Sequence, residues 1–345
     1  MKLAVEFPSV AYREGPKAVG KLAKGIEDIG YDQLDVYDHV VMGYDIEGRT
    51  KSIYPAQMPI IEAFMMLSYA AAVTEKIGLG TEVLILPQRQ PALVAKQVSS
   101  LDTLSDGRVR LGVGIGWQES EYEALGESFK TRGRRMDEAM ELLRAYWREE
   151  RIEFESEHYP TEAMAMEPKP PQGGDLPIWI GGNAIAAMKR IVEHGDCWYI
   201  NPHTTIETLV TQVDHYKRLL DEAGKPFPAE FPMRREAFVA PTREEAIKLA
   251  GPFVSKKYAA YHSTGQSDQL PEGETLAGGF EELVGDRFLI GSPDDVAEQM
   301  IDINKRLGVN HLIVSMEWAG MVKSVAMDCM QLMAEEVIPR VRQAT

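Results

Sequence analysis

Glu6, His39 and Glu82 each fall on the polar phase of a short apolar alternation, close to where it ends. In MKLAVEF, Leu3, Val5 and Phe7 form one phase and Glu6 the other. In QLDVYDH, Leu34 and Val36 are one phase; Asp35 and, by continuation, His39 are the other. In TEVLIL, Val83 and Ile85 share a face and Glu82 takes the opposite one. A histidine among carboxylates serves as a general acid or base near neutral pH. The plain alternative is a hydrogen-bonded polar layer. Asp35, Asp38 and His39 also bear metal-ligand side chains, but no HExxH or paired-histidine spacing accompanies them, so no metal is expected.

Two glycine-bearing stretches point to a ligand. In LGVGIGW, Gly112, Gly114 and Gly116 share one phase. A column without side chains leaves room for a flat ligand, or relieves crowding between strands. It is not a dinucleotide fingerprint, because a third glycine and a prompt helix are missing. In PIWIGGNAIAA an apolar strand ends at Gly181-Gly182, and Asn183 precedes a helical pattern. Free N–H groups at such a helix start hold a phosphate; the competing reading is a tight turn with Asn183 as N-cap. Arg132, Arg134 and Arg135 form a basic knot, read as a solvated helix start with an anion site as the alternative. Trp117, Trp179, Trp198 and Tyr199 lie near strand ends, where they would wall an aromatic ligand or simply pack. Met65, Met66, Met327, Met330 and Met333 read as core.

These residues need a scaffold that alternates two periods. Strands are expected at residues 2–7, 32–37, 77–86, 108–116, 177–180, 196–200, 233–240 and 310–316. Helices are expected near 15–30, 59–74, 91–104, 132–149, 184–194, 206–223, 243–262, 293–307 and 320–340. Eight strand signals, nearly all followed by a helix, fit an α/β (β/α)8 TIM barrel with insertions; a doubly wound open sheet is the alternative. Polar or Pro/Gly-rich segments at about 40–58, 151–176 and 263–286 read as insertions in a single domain spanning 1–345.

Composition narrows the class. The 345 residues include 37 Lys and Arg against 53 Asp and Glu, a net charge of −16 that argues against a nucleic-acid partner. Hydrophobic residues at 44% and charged residues at 26% suit a globular enzyme. The longest apolar run, 63–73, falls short of the roughly 20 residues a bilayer span needs. Glu6 and Pro8 interrupt the N-terminal apolar stretch too early for a signal core. Two cysteines make no disulfide framework, and a cytoplasmic protein is expected.

The chain resembles the bacterial luciferase-like monooxygenase superfamily, whose members are flavin- or coenzyme F420-dependent oxidoreductases. The resemblance lies in VYDHV, KIGLGTEVLILPQRQPALVAKQ, LDTLSDGRVRLGVGIGWQESEYEALG, RGRRMDEAMELLRAYW, PIWIGGNA, GDCW, IGSPDDVAEQM and AEEVIPRVR. The stretch 76–126 looks closest to the F420 branch. The resemblance implies a TIM barrel with the cofactor ring at its C-terminal mouth, and a non-proline cis peptide at Glu82-Val83, just before Leu84. Asp38, Glu82, Val83, Leu84, Gly112, Gly114, Gly116 and Trp117 would surround the ring. Gly181, Gly182 and Asn183 would hold the phosphate. His39 and Glu6 would manage the proton. Arg89, Lys96 or Arg132 to Arg135 would assist the anionic F420 tail. One departure stands out: sugar-phosphate dehydrogenases of the superfamily carry a Glu just after the strand-four glycines, where this chain has Trp117, Gln118, Glu119 and, further on, Glu121. The implied reaction is hydride transfer between F420 and a small organic substrate. The alternatives are a monooxygenase using reduced FMN and O2, and a flavin-binding protein without turnover. A homodimer or larger homo-oligomer is also implied.

Overall fold

The computed structural model describes residues 1–345 except Thr50, Ile53 and Glu272, so those parts of the expected insertions 40–58 and 263–286 lie outside the described residues. In chain order the strands are β1 (Lys2–Glu6), β2 (Gln33–Val36), β3 (Gly78–Thr81), β4 (Leu84–Ile85), β5 (Val109–Gly114), β6 (Ile152–Phe154), β7 (Thr161–Met164), β8 (Ile178–Gly181), β9 (Cys197–Tyr199), β10 (Pro232–Val239), β11 (Phe288–Gly291) and β12 (His311–Ser315). The helices are α1 (Pro16–Ile29), α2 (Ala63–Val73), α3 (Pro91–Leu104), α4 (Glu119–Ala124), α5 (Arg132–Arg148), α6 (Ile185–His194), α7 (Ile206–Glu222), α8 (Arg243–Ser263), α9 (Phe280–Arg287), α10 (Pro293–Leu307), α11 (Lys323–Leu332) and α12 (Ile338–Ala344).

Local chemistry sets many boundaries. Helix α1 starts with Pro16 at its first turn and stops at Gly30, whose φ of 105° lets its N–H return to Glu27 O and Ile26 O. Val19, Leu22, Ala23 and Ile26 give it one buried stripe. Helix α10 opens with a Ser292–Asp295 capping box and closes on Gly308 at φ 79°.

All eight expected strands form, and they pair in parallel around a ring: β12 to β1, β1 to β2, β2 to β3, β3 to β5, β5 to β8 and β8 to β9. A bridge between Ile200 and Met233 joins β9 to β10, and β10 pairs with β12. The ring closes, which removes the open-sheet alternative: the fold is a (β/α)8 TIM barrel. Strand β11 stands outside it, on the C-terminal half of β10.

Alternation then divides the core. Leu3, Val5, Leu34, Val36, Leu79, Leu111, Val113, Ile178, Ile180 and Trp198 pack outward under the helices. Ala4, Trp179, Cys197, Tyr199 and Ile313 form a separate cluster inside the ring, with Val83 against it. So Trp198 belongs to the outer core, while Trp179 and Tyr199 face the interior.

Several elements were not anticipated. The segment 151–176 carries the β6–β7 antiparallel hairpin. The short helix α4 follows β5, and α9 and β11 close the third insertion. The single C-terminal helix expected at 320–340 is instead α11, a π turn at Met333–Val337 and α12, with Pro339 supplying no N–H at the start of the last piece. Among the described residues, no helix is long and apolar enough to cross a membrane.

Candidate active site

Strand β2 carries Asp35 into the barrel, and the chain just beyond brings Asp38 and His39 to the rim. His39 Nδ1 lies 3.0 Å from Glu121 Oε2, and the other oxygen of Glu121 accepts the Val40 N–H at 2.9 Å. Glu121 is 1% exposed, on the first turn of α4. A carboxylate acceptor selects the tautomer with its proton on Nδ1, which leaves Nε2 with the lone pair. Tyr54 and Trp117 stand edge-on to the imidazole, at 5.4 Å and 6.0 Å between ring centres. Asp38 accepts the Ile85 N–H at 3.2 Å and Arg89 at 2.7 Å, and Arg89 reaches on to Glu62 at 2.8 Å. Burial pushes the Asp38 carboxyl up against the pull of Arg89. Asp38 therefore pins the His39 segment to β4.

Glu6 reaches the interior from β1, as its phase requires, but its partner is a cation. Arg234 on β10 donates to Glu6 through Nε at 2.9 Å and also through its second nitrogen. The same guanidinium donates to Glu236 at 3.1 Å and lies 3.4 Å from Glu82. Lys257 of α8 and the Trp318 indole N–H each donate to Glu236 at 2.9 Å. Tyr199 donates its hydroxyl to Glu82 at 3.2 Å. Burial raises Glu6, but Arg234 and Lys257 outweigh it and hold the carboxyl below its ordinary range. Burial, then the charge on Glu6, pushes Glu82 well above the usual carboxylate range. Of these two coupled carboxyls, Glu6 is thus the more readily ionised. Burial opposes ionisation of Glu236 too, yet Lys257 and Arg234 hold it near 2. Glu6, which the resemblance casts as a manager of the proton, is held in an ion pair with Arg234.

The glycine column needs a larger correction. Strand three breaks between β3 and β4, and the Glu82-Val83 peptide is cis, as the resemblance implied. Simple alternation does not run across that break: Val83 joins Glu82 inside, and Ile85 follows on the face of Val83, so the face those two share is the one toward the glycines. A Cβ on Gly112 would stand 2.0 Å from Thr81 O, one on Gly114 2.7 Å from Val83 Cγ2, and one on Gly181 3.6 Å from Val83 Cγ1. A Cβ on Gly116, where φ is 67°, would stand 2.6 Å from Ile85 Cγ2. The room those glycines leave is taken by the Thr81 carbonyl, Val83 and Ile85, not by an open slot; Val83 forms the floor. The Leu84 side chain is fully buried in the outer core.

At the end of β8, Ala184 rather than Asn183 is the N-cap of α6, and no side chain caps that helix. The turn reading with an Asn183 cap is thereby overturned, and the first-turn N–H groups keep their donor capacity. A Cβ on Gly182 would approach Ala187 Cβ to 2.7 Å, so glycine is required. Asn183 Oδ1 is buried without a partner. The free first-turn N–H groups of α6 fit a cofactor phosphate.

The other candidates disperse. Asp35 takes its hydrogen bonds from Gln33 at 2.9 Å, Asp38 binds Arg89 and His39 binds Glu121, so no shared metal position exists among them. Arg89 is paired with Asp38 and Glu62, Lys96 donates to Glu167 O, Arg134 pairs with Glu157 and Arg135 with Glu127. Arg132 stacks on Phe129, 3.7 Å from the ring centre, and donates to Phe129 O. The basic groups expected to help an anionic tail are thus largely engaged.

Sequence reading missed Glu121 as the partner of His39, and missed Arg234, Glu236, Lys257 and Tyr54. Arg234 and Glu236 carried a signal, since both lie on the polar phase of MRREAFV. Glu121 lies 82 residues from His39, and nothing local joins them.

Comparison with known proteins agrees with this architecture. The sequence profile of the family described as luciferase-like monooxygenase matches residues 3–311. An FMNH2-dependent dimethylsulfone monooxygenase of Pseudomonas fluorescens is 28% identical over 84% of this chain and 79% of its own length. An F420-dependent glucose-6-phosphate dehydrogenase of Nocardia farcinica is 26% identical over 90% of this chain and 91% of its own. The crystal structure of a monooxygenase from Streptomyces bottropensis superposes with a TM-score of 0.82 at 22% identity, covering 98% of this chain and 99% of that one. The barrel, its glycine-bearing strand ends and the match along residues 3–311 lead to one conclusion: the chain belongs to the luciferase-like monooxygenase family.

Proposed function

We propose that residues 1–345 act as one barrel domain that transfers a hydride between coenzyme F420 and a small organic substrate at the mouth. The observation that carries this reading is the His39–Glu121 pair, walled by Tyr54 and Trp117 on the rim of β2. Hydride transfer to or from a carbonyl, imine or alcohol moves a proton as well, and an oriented imidazole with a free Nε2 provides for it. When bound, the deazaflavin supplies the hydride at its C5. Gly181, Gly182, Asn183 and the start of α6 would hold its phosphate, Val83 would support the ring, and Tyr54 and Trp117 would keep water from His39. Glu6 and Glu82 would shape the interior through Arg234 rather than exchange protons in turnover. Trp117, in place of the family's sugar-phosphate glutamate, argues against that substrate.

A second reading has its own support. The phosphate cradle is compact, and Arg89, Lys96, Arg134 and Arg135 are engaged, which suits FMN better than a long anionic tail. Titrating the protein with each coenzyme, followed by absorbance and fluorescence, tests the choice. Tighter binding of F420, with substrate-dependent bleaching of its absorbance, is the expected result. Tighter binding of FMN, with oxygen consumption by the reduced form, would move the assignment to a monooxygenase. Binding of either without turnover of any substrate would leave a carrier protein.

A further inference from the structure

The loop after β9, residues 201–205, is tied down from beneath. Arg235, fully buried on the outer face of β10, donates to Asn201 O at 3.1 Å and Thr204 O at 2.9 Å. Arg287, at the end of α9, donates through Nε to His203 O at 2.8 Å and pairs with Glu274. Glu274 in turn accepts the Thr205 N–H at 3.1 Å. The His203 N–H closes onto Asn201 Oδ1 at 3.2 Å. Two buried arginines thus hold three consecutive-region carbonyls, and the side chain they present is His203.

Its imidazole stands edge-on to Tyr261 at 5.1 Å and to Tyr258 at 6.1 Å between ring centres. The Tyr261 hydroxyl lies 3.3 Å from that of Tyr54, whose ring neighbours His39 at 5.4 Å. His39, Tyr54, Tyr261 and His203 therefore form a row across the mouth. Nε2 of His203 is buried and has no hydrogen-bond partner. A buried polar atom on so firmly held a loop calls for a partner from outside the chain.

We propose that His203 is a substrate-binding residue whose Nε2 hydrogen-bonds an uncharged hydroxyl or carbonyl of the substrate, at the end of the mouth opposite His39. This rests on the hydride-transfer reading and narrows its substrate to the alcohol–ketone class. Charge supports the narrowing. Lys257 is paired with Glu236, Arg234 with Glu6 and Glu236, and Arg287 with Glu274, while Arg235, which pairs with no anion among the described residues, donates to the Asn201 and Thr204 carbonyls. Burial, with Arg234 and Lys257 nearby, holds the imidazole near 3, and it stays neutral. A neutral ring offers one N–H and one lone pair, which match a carbonyl or a hydroxyl and leave a carboxylate or phosphate uncompensated.

The test uses cyclohexanol and cyclohexanone on the whole chain with 15N-labelled histidine. Either probe is expected to shift the His203 ring-nitrogen resonances, identified by their loss in His203→Gln, while leaving those of His158 in place. In turnover with F420, His203→Gln should raise KM for cyclohexanol about tenfold, with F420 affinity unchanged. Because the spectra are read without coenzyme, a His203 shift in a protein that fails to use F420 would end the hydride reading and sustain this one. A His203 signal indifferent to both probes, or one moved more by cyclohexanecarboxylate than by cyclohexanol, would overturn it.

Discussion

On the strand-one side of the mouth, Glu6, Glu82 and Glu236 face Arg234 and Lys257; on the strand-two side, Glu121 faces His39. Buried carboxylates dominate both regions, yet their partners set different chemistry. A guanidinium stays charged throughout the working pH range, so a carboxylate beside it is a fixed counter-ion. An imidazole changes charge near neutrality, so a carboxylate beside it orients and sustains a proton carrier. On the proposed function, the contrast gives framework duty to the first region and proton handling to the second.

Removing the proton carrier should have the largest effect. His39→Ala is expected to lower kcat by about 10²–10⁴-fold, the usual contribution of a positioned acid or base. Its thermal midpoint should stay near that of the wild type. Equal activity in the variant would erase the contrast, since neither region would then handle the proton.

The strand-one network should fail differently. Glu236 is fully buried and receives Arg234, Lys257 and the Trp318 indole. Glu236→Gln leaves Lys257 without its counter-ion beside Arg234, which keeps Glu6, and should cost about 3–5 kcal/mol of stability. Denaturant unfolding measures it. A variant that stays as stable but turns over slowly would make Glu236 a reaction group and break the division between the two sides.

A smaller, pH-resolved effect separates Asp35 from both. Burial, opposed by the Gln33 hydrogen bonds and Arg110, raises its carboxyl from 3.8 to about 7. The folded state then binds a proton the unfolded chain has released, so this group lowers stability as pH rises from about 4 to 7 and keeps the full penalty above 7. The penalty is at most about 4 kcal/mol. Asp35→Asn should therefore gain on the wild type across that window, with the two curves meeting toward pH 4. Parallel melting curves from pH 4 to 8 would show that Asp35 ionises freely.

Legibility followed the range of the physics. The eight ring strands were readable because outward apolar residues alternate with inward ones over four or more positions, as in Leu3, Val5 and Phe7. The same alternation placed Glu6 and Asp35 inside. It failed at Glu82-Val83, where the strand breaks and two successive residues point inward, and so put Val83 and Ile85 on the face opposite Glu82. Strand β11 was missed because FLIG, four apolar residues at the edge of a polar insertion, has no period to read. Partner identity was the least legible. Glu6 was found, but its partner Arg234, 228 residues away, was not.

Glu121 sharpens the comparison most finely, because its replacement keeps the shape and changes only what Nδ1 faces. With the carboxylate, the Nδ1 proton has an acceptor at 3.0 Å and Nε2 carries the lone pair. Glu121→Gln still offers an oxygen to the Val40 N–H, but the amide nitrogen then turns toward Nδ1. A donor there requires the proton to sit on Nε2, which takes the lone pair away from the mouth. Orienting partners of functional histidines contribute of order ten- to a hundredfold, so kcat should fall by about that factor with coenzyme affinity unchanged. The 15N spectrum should show His39 passing from the Nδ1–H to the Nε2–H tautomer in the same variant. A slower enzyme with the original tautomer would mean that Glu121 acts through its charge alone, and the strand-two carboxylate would then resemble those on strand one more than its geometry suggests.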